Sequence, residues 1–163
     1  MKRIVMAVVI SATMYAAAAV TLTSCTWMDE WLETQQDDKS DKPDIPLDEV
    51  LSVAELIAGD FAGDTVWVRG FIVGGLASDG TVDFGCEGDV LGTAVILADE
   101  PDCDEPDDCM ALQLTKKAHK EALAVSEKAI RDKILHQEIY VQGKATTYKK
   151  LPALTNICAY QLE

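Results

Sequence analysis

The chain has 163 residues, room for one ordinary domain rather than two at roughly 100–200 residues per domain. Its 28 acidic side chains outnumber 14 basic ones, for a formal charge of -14. That balance argues against a dedicated nucleic-acid binder, because affinity for a phosphate backbone comes from Lys and Arg displacing counterions.

Met1-Lys2-Arg3 is a short positive start, followed by the uncharged, alanine-rich run Ile4 to Val20. By length the run sits at the lower limit for a spanning helix, about 17 residues, so an N-terminal anchor helix is one reading. The next residues, Leu22-Thr23-Ser24-Cys25, resemble the lipobox of bacterial lipoproteins. The resemblance implies that residues 1–24 are a lipoprotein signal peptide and that Cys25 carries a diacylglyceryl group. Palmitate-class acyl chains gain ~0.8 kcal/mol per buried methylene, and two or three of them make a stable membrane anchor. Removal of residues 1–24 takes Lys2 and Arg3 with it, so the acidity belongs to the exported part.

Residues 25–46 hold Asp29, Glu30, Glu33, Asp37, Asp38, Asp41 and Asp44 with Pro43 and Pro46, and no helical or strand period. Such polarity predicts a disordered acidic tether. Asp29-Glu30 just past the lipidation cysteine resembles the signal that carries Bacteroidota lipoproteins to the cell surface, and Thr26 resembles an outer-membrane destination. A plain acidic linker explains the same residues. Trp27 and Trp31 suit a membrane interface, where an amphipathic indole is favoured, or are two aromatics without a role.

A folded domain is expected over residues 47–163. Ser52-Val53-Ala54-Glu55 fits a capping box ahead of a short amphipathic helix that Gly59 ends. Thr65 to Val73 is rich in β-branched and aromatic residues and predicts a long strand, with Trp67, Arg69, Phe71 and Val73 on one face. Six of the ten glycines fall in 74–92, which predicts a long loop with room for a short strand at Thr81–Phe84. Strands are then expected at Thr93–Ala98, Met110–Leu114, Ile139–Lys144 and Asn156–Leu162. Between the third and fourth, Lys116 to Leu135 has helical period, as one helix or as two with a break at Val125. Asp99 to Asp108 carries seven carboxylates and two prolines and must be a loop.

Strand, long loop, strand, strand, helix, strand, strand is the order of the five-stranded OB-fold barrel, here mainly β with a short N-terminal helix. A β-sandwich has no need of that helix, and a ferredoxin-like fold needs one after its first strand. Val66 to Gly74, Val95 to Pro101, Cys109 to Leu114, Ile139 to Lys144 and Leu151 to Asn156 also resemble an OB-fold family of Bacteroidota lipoproteins. That resemblance spans residues 52–162 and implies the fold and an exported setting, with no established activity and no functional residues to carry over. Tyr148-Lys149-Lys150 departs from the glycine or aromatic that such domains often have before Leu151-Pro152.

Chemistry is sparse. His119 and His136 flank the helical segment, and neither has a nucleophile motif beside it. The chain has no G-x-S-x-G, H-E-x-x-H, phosphate-loop or C-x-x-C pattern, so the expectation is a non-enzyme without cofactor or metal. Cys86, Cys103, Cys109 and Cys158 permit two disulfides in an exported protein. Cys103 with Cys109 is the local pair, which leaves Cys86 with Cys158; free buried thiols and a metal site are the alternatives. Asp99–Asp108 suits a solvated, self-repelling loop, or hard-cation ligands without an EF-hand pattern.

The loop after the fourth strand, Lys144 to Lys150, should lie beside the glycine-rich loop 74–92 if the barrel is right. Trp67, Arg69, Lys144, Thr146, Tyr148, Lys149 and Lys150 are the candidate ligand contacts. Lysines and a tyrosine there can meet an anion or a sugar, or stack a base, or make an exposed hairpin tip soluble. The expected function is a lipid-anchored binding or interaction module for an envelope glycan or protein. The alternatives are a nucleic-acid-binding OB-fold or a structural subunit of an envelope complex.

Overall fold

This computed structural model describes residues 42–163. The expected signal peptide, Cys25, Trp27, Trp31 and the expected tether as far as residue 41 lie outside the described residues.

A 3-10 turn at Leu47–Glu49 leads into the two-residue strand β1, Val50–Leu51. Helix α1, Val53–Ala58, starts at the expected box: Glu55 N donates to Ser52 Oγ (3.1 Å) and Ser52 N to Glu55 Oε2 (2.8 Å). Val53 and Leu56 are its buried residues, so a helix too short to stand alone is held by one apolar edge. Strand β2, Thr65–Ala77, runs four residues beyond the expected end. Strand β3 is Val82–Asp83, β4 Val90–Ala98 and β5 Cys109–Gln113. Two short helices follow, α2 at Lys117–Leu123 and α3 at Lys128–Ile134. Val125, fully buried, sits in the break between them and explains it: the chain leaves helical geometry to insert that side chain into the core. Strands β6, Glu138–Tyr148, and β7, Leu151–Leu162, complete the fold.

The sheet is mixed and has seven strands, not the expected five. Its order is β1-β2-β4-β5-β7-β6, with β3 on β2. Of the two additional strands, β3 falls within the short strand expected at Thr81–Phe84, and β1, with two residues, is too short for alternation to be read from sequence. β2 also pairs antiparallel with β6, from Thr65↔Lys144 to Phe71↔Glu138, so the five long strands form a closed cycle of pairings. Within it β5 and β7 run parallel, Ala111↔Ala153 and Leu112↔Leu154, while the other long neighbours are antiparallel.

Closure separates two apolar layers. The inner one gathers Val68, Ile72, Val95, Leu97, Leu112 and Leu154 with α1 and the helical segment. Burying a Val, Leu or Ile side chain contributes about 1.5–3 kcal/mol, so this layer supplies most of the drive to fold. The second layer is on the opposite face of β2, β4 and β5. Val73, Leu76, Ala94, Ile96, Ala98 and Ala111 are covered there by Val82 and Phe84 of the β2–β4 connection and by Tyr148 and Leu151. Gly74 makes the cover possible: a Cβ on it would stand 2.5 Å from the carbonyl oxygen of Asp83. No helix among the described residues is long and apolar enough to cross a membrane.

Candidate functional site

The expected loop at 144–150 is mostly strand. β6 continues through Tyr148, which pairs with Leu151, and only Lys149 and Lys150 turn the chain. Both have positive φ, 47° and 76°. That is the backbone of a two-residue type I′ hairpin, whose twist matches the flanking strands. Lys144 is expected to end the fourth strand and open the loop, and Thr146 to lie in the loop. They are outward positions of a strand whose buried positions are Ile139, Val141, Gly143 and Ala145.

The tip of this hairpin meets the tip of the β2–β3 turn. Lys149 Nζ donates to the Ser78 carbonyl at 2.6 Å. In that second turn Asp79 Oδ1 accepts from Thr81 N at 2.9 Å and Thr81 Oγ1 at 2.7 Å, an Asx-type closure. These bonds, foremost the Thr81 amide, and the nearby Lys149 charge hold the Asp79 carboxyl below its ordinary pKa. The expected neighbourhood of the two loops is therefore present at Lys149, although each loop is shorter than its composition suggested.

Along the outward side of β6 stand Tyr140, Gln142, Lys144 and Thr146, with Tyr148 drawn into the second apolar layer. On β2, Thr65, Trp67 and Arg69 are their register partners. Trp67 is only 7% exposed, flanked by Val50 of β1 and Gln142 of β6 in the ladder, and offers little surface to a ligand. Arg69 is half exposed and its Nε is 3.3 Å from Glu138 Oε1. Arg69 and Tyr140 border a hollow of about 370 Å³ that Leu47, Val50, Ser52 and Glu55 close. Tyr140 was not singled out from sequence; its alternation with buried Ile139 and Val141 is the signal that marks it as outward. Among the described residues, Lys144 and Lys150 are in no ion pair.

The acidic loop forms a separate feature. Asp99 is spoken for: its Oδ1 accepts from Val53 N at 2.7 Å and its Oδ2 from Ala54 N at 2.9 Å, at the start of α1. Glu100, Asp102, Asp104, Glu105 and Asp108 border the adjoining cavity of about 470 Å³. Among the described residues no group of three His, Cys, Asp or Glu side chains is arranged to hold a metal ion.

Cys103 and Cys109 are brought together as thiols, Sγ to Sγ 3.9 Å. The complementary pair, Cys86 with Cys158, is not joined: Cys86 is buried and its thiol points at the Asp83 carbonyl (3.6 Å), whereas Cys158 is exposed on β7. Burial, helped by the Asp83 charge, pushes the Cys86 thiol up to about 11. His119 is lowered by burial and by Lys116 and packs edge-on against Tyr160, centroids 5.8 Å apart. Its buried Nδ1 has no hydrogen-bond partner among the described residues. His136 Nδ1 lies 2.6 Å from the Pro101 carbonyl oxygen.

The model of the family described as "Domain of unknown function (DUF6359)" matches residues 51–163, which takes in the whole seven-stranded sheet apart from Val50. The chain belongs to the DUF6359 family. The DUF6359 match begins at Leu51, within β1. No curated protein matches the chain. Among solved structures, one assigned as an aspartyl-tRNA synthetase from Leishmania major Friedlin is similar to 69% of this chain at 12% identity, with a TM-score of 0.38. The chain spans 20% of that protein's length.

Proposed function

We propose that this DUF6359 protein is a lipid-anchored binding module of the bacterial outer membrane, displayed toward the cell surface, in which an OB-fold barrel contacts an anionic envelope glycan or protein. Support for the barrel comes from the cycle of pairings through β2, β4, β5, β7 and β6, the parallel β5–β7 pair and the helical crossover between β5 and β6. Support for the anchor is the lipobox-like Leu22-Thr23-Ser24-Cys25 and the acidic residues after it.

The observation that carries the binding reading is the shared outward surface of the β6–β7 hairpin. In a chain with twice as many acidic as basic side chains, Lys144, Lys149 and Lys150 are exposed there beside Thr146 and Thr147. Local positive charge on an acidic body draws an anionic partner to one place and repels it elsewhere. Nucleic acid is the weaker reading, because Phe84 and Val82 of the chain itself cover the apolar face of β2, β4 and β5 on which bases would stack.

The test uses the purified full-length chain on immobilised heparin, a sulfated-glycan probe, at low salt, with a fluorescent single-stranded oligonucleotide as the second arm. Salt-sensitive retention lost in Lys149→Glu/Lys150→Glu supports the reading. Retention unchanged by that variant, or absent at low salt, overturns it, and tight oligonucleotide binding lost in the same variant favours the nucleic-acid alternative. The anchor is tested separately: Cys25→Ser should abolish incorporation of labelled palmitate and release the chain from membranes, and unchanged membrane retention and mobility defeat it.

A further inference from the structure

The pair at the rim of the acidic cavity has a geometry that the hairpin reading does not use. Cys109 opens β5 and is fixed there by its register with Ala98; it is completely buried. Cys103 lies in the preceding loop and is partly exposed. The chain between them folds back through a 3-10 turn at Pro106–Asp108, in which Cys109 N donates to the Pro106 carbonyl and Asp108 N to that of Glu105 (3.2 Å). Both thiols point at one acceptor, the Glu105 carbonyl oxygen, at 3.6 Å from Cys103 Sγ and 3.3 Å from Cys109 Sγ. The two thiols converge on a single backbone oxygen and stand 3.9 Å apart, against the disulfide bonding distance of about 2.05 Å.

We propose that Cys103 and Cys109 are an oxidisable pair that forms an intrachain disulfide by exchange with a small disulfide oxidant, closing the acidic loop onto the start of β5. Cys103, the accessible partner, attacks one sulfur of the oxidant as the thiolate and releases the first small thiol. Cys109 then attacks the Cys103 sulfur of the mixed disulfide and releases the second. Both protein thiol protons end on the two released thiols, and the two electrons pass from the cysteines to the oxidant. Burial and the neighbouring Cys103 push the Cys109 thiol up to about 12, which makes it a poor first nucleophile and a protected second one. The inference is independent of which ligand the β6–β7 hairpin contacts.

The experiment treats the full-length chain with oxidised glutathione, blocks remaining thiols with iodoacetamide in denaturant, and cleaves on the amino side of aspartate, which cuts between the two cysteines at Asp104, Asp107 and Asp108. The expected product is a Cys103 peptide linked to a Cys109 peptide, separated by reductant, with Cys86 and Cys158 alkylated. In Cys103→Ser, a near-isosteric change at a partly exposed loop position, Cys109 should be recovered alkylated and the linked product lost. The proposal is overturned if Cys103 and Cys109 are both alkylated after oxidation, if either is linked to Cys86 or Cys158, or if Cys103 stops at a stable mixed disulfide with glutathione.

Discussion

The carboxylate of Asp99 takes the amide of Val53 at 2.7 Å and, with its other oxygen, that of Ala54 at 2.9 Å, closing the start of a helix 46 residues earlier in the chain. Ser52 Oγ serves the Glu55 amide, and the Ser52 carbonyl accepts from Leu56 N at 3.1 Å. All four amino-terminal amides of a six-residue helix are therefore satisfied, two of them by a residue at the end of β4. Asp99→Ala leaves two of these donors without their acceptor and removes the tie between α1 and β4. Urea unfolding should show a loss of about 1–3 kcal/mol, larger than that of Ser52→Ala, which takes away one bond. A loss no greater than that of Ser52→Ala would mean that water replaces the carboxylate at no cost.

Gly74 and Asp83 define how the β2–β4 connection covers the second apolar layer. Any Cβ at Gly74 would meet Asp83 O at 2.5 Å and Phe84 Cα at 2.8 Å, both of them backbone that the cover cannot spare. Gly74→Ala is expected to cost about 1–3 kcal/mol, as overpacking does. It should also lift Val82 and Phe84 from Val73, Leu76 and Ile96, read as faster amide exchange at 81–85 and binding of a hydrophobic dye. A destabilised variant with unchanged exchange in that segment would locate the strain elsewhere.

How far the sequence was legible follows from which interactions are local. The five long strands are visible as apolar runs, β-branched in all but β5, and the α1 capping box as four residues in a row. β1 is invisible because a two-residue ladder has no period, whereas β3 lies within the short strand expected at Thr81–Phe84. Gly74 and Gly75 read as loop residues, yet they lie inside β2, where the Asp83–Phe84 backbone on one face and Val90 with Val125 on the other occupy the space of their side chains. The strand expected to end at Lys144 continues to Tyr148, and Thr146 reads as loop because alternation with Ala145 is too weak an apolar signal to extend it. The nearness of Lys149 to the glycine-rich connection followed from element order alone. The Asp99–Val53 tie did not, since nothing in an acidic loop says which of its carboxylates a distant helix will take.

The buried thiols predict an alkaline limit to stability. Cys86 and, in the reduced chain, Cys109 titrate in the folded state near 11 and 12, against an ordinary value of 9.0. The unfolded chain thus releases these protons first as pH rises. Their contribution to stability is complete below pH 9, falls away as pH rises from there through the folded values, and is gone above them. Denaturant midpoints of the reduced protein should decline across that window, and Cys86→Ala should flatten the decline. Iodoacetamide at pH 8 should modify exposed Cys158 well before Cys86. A midpoint that is level from pH 8 to 11 would mean that the thiols ionise in place.

Lys149 and Lys150 separate stability from binding in a single variant. Both sit at positive φ, where a side chain with a Cβ is disfavoured and Asn-Gly is the preferred pair for a two-residue type I′ turn. Relieving the strain at Lys150 with glycine should exceed the entropy that glycine adds to the unfolded chain, so Lys149→Asn/Lys150→Gly is expected to stabilise by about 0.5–1 kcal/mol. The loss of the Lys149 bond to the Ser78 carbonyl subtracts from this gain, so Lys150→Gly alone should be the more stable of the two. The double variant should nonetheless elute from heparin at lower salt, since two of the three exposed lysines of the hairpin are gone. If the double variant is more stable and retained as strongly as the unaltered chain, the lysines serve solubility alone; if it is less stable, the Lys149–Ser78 contact outweighs the strain of the turn.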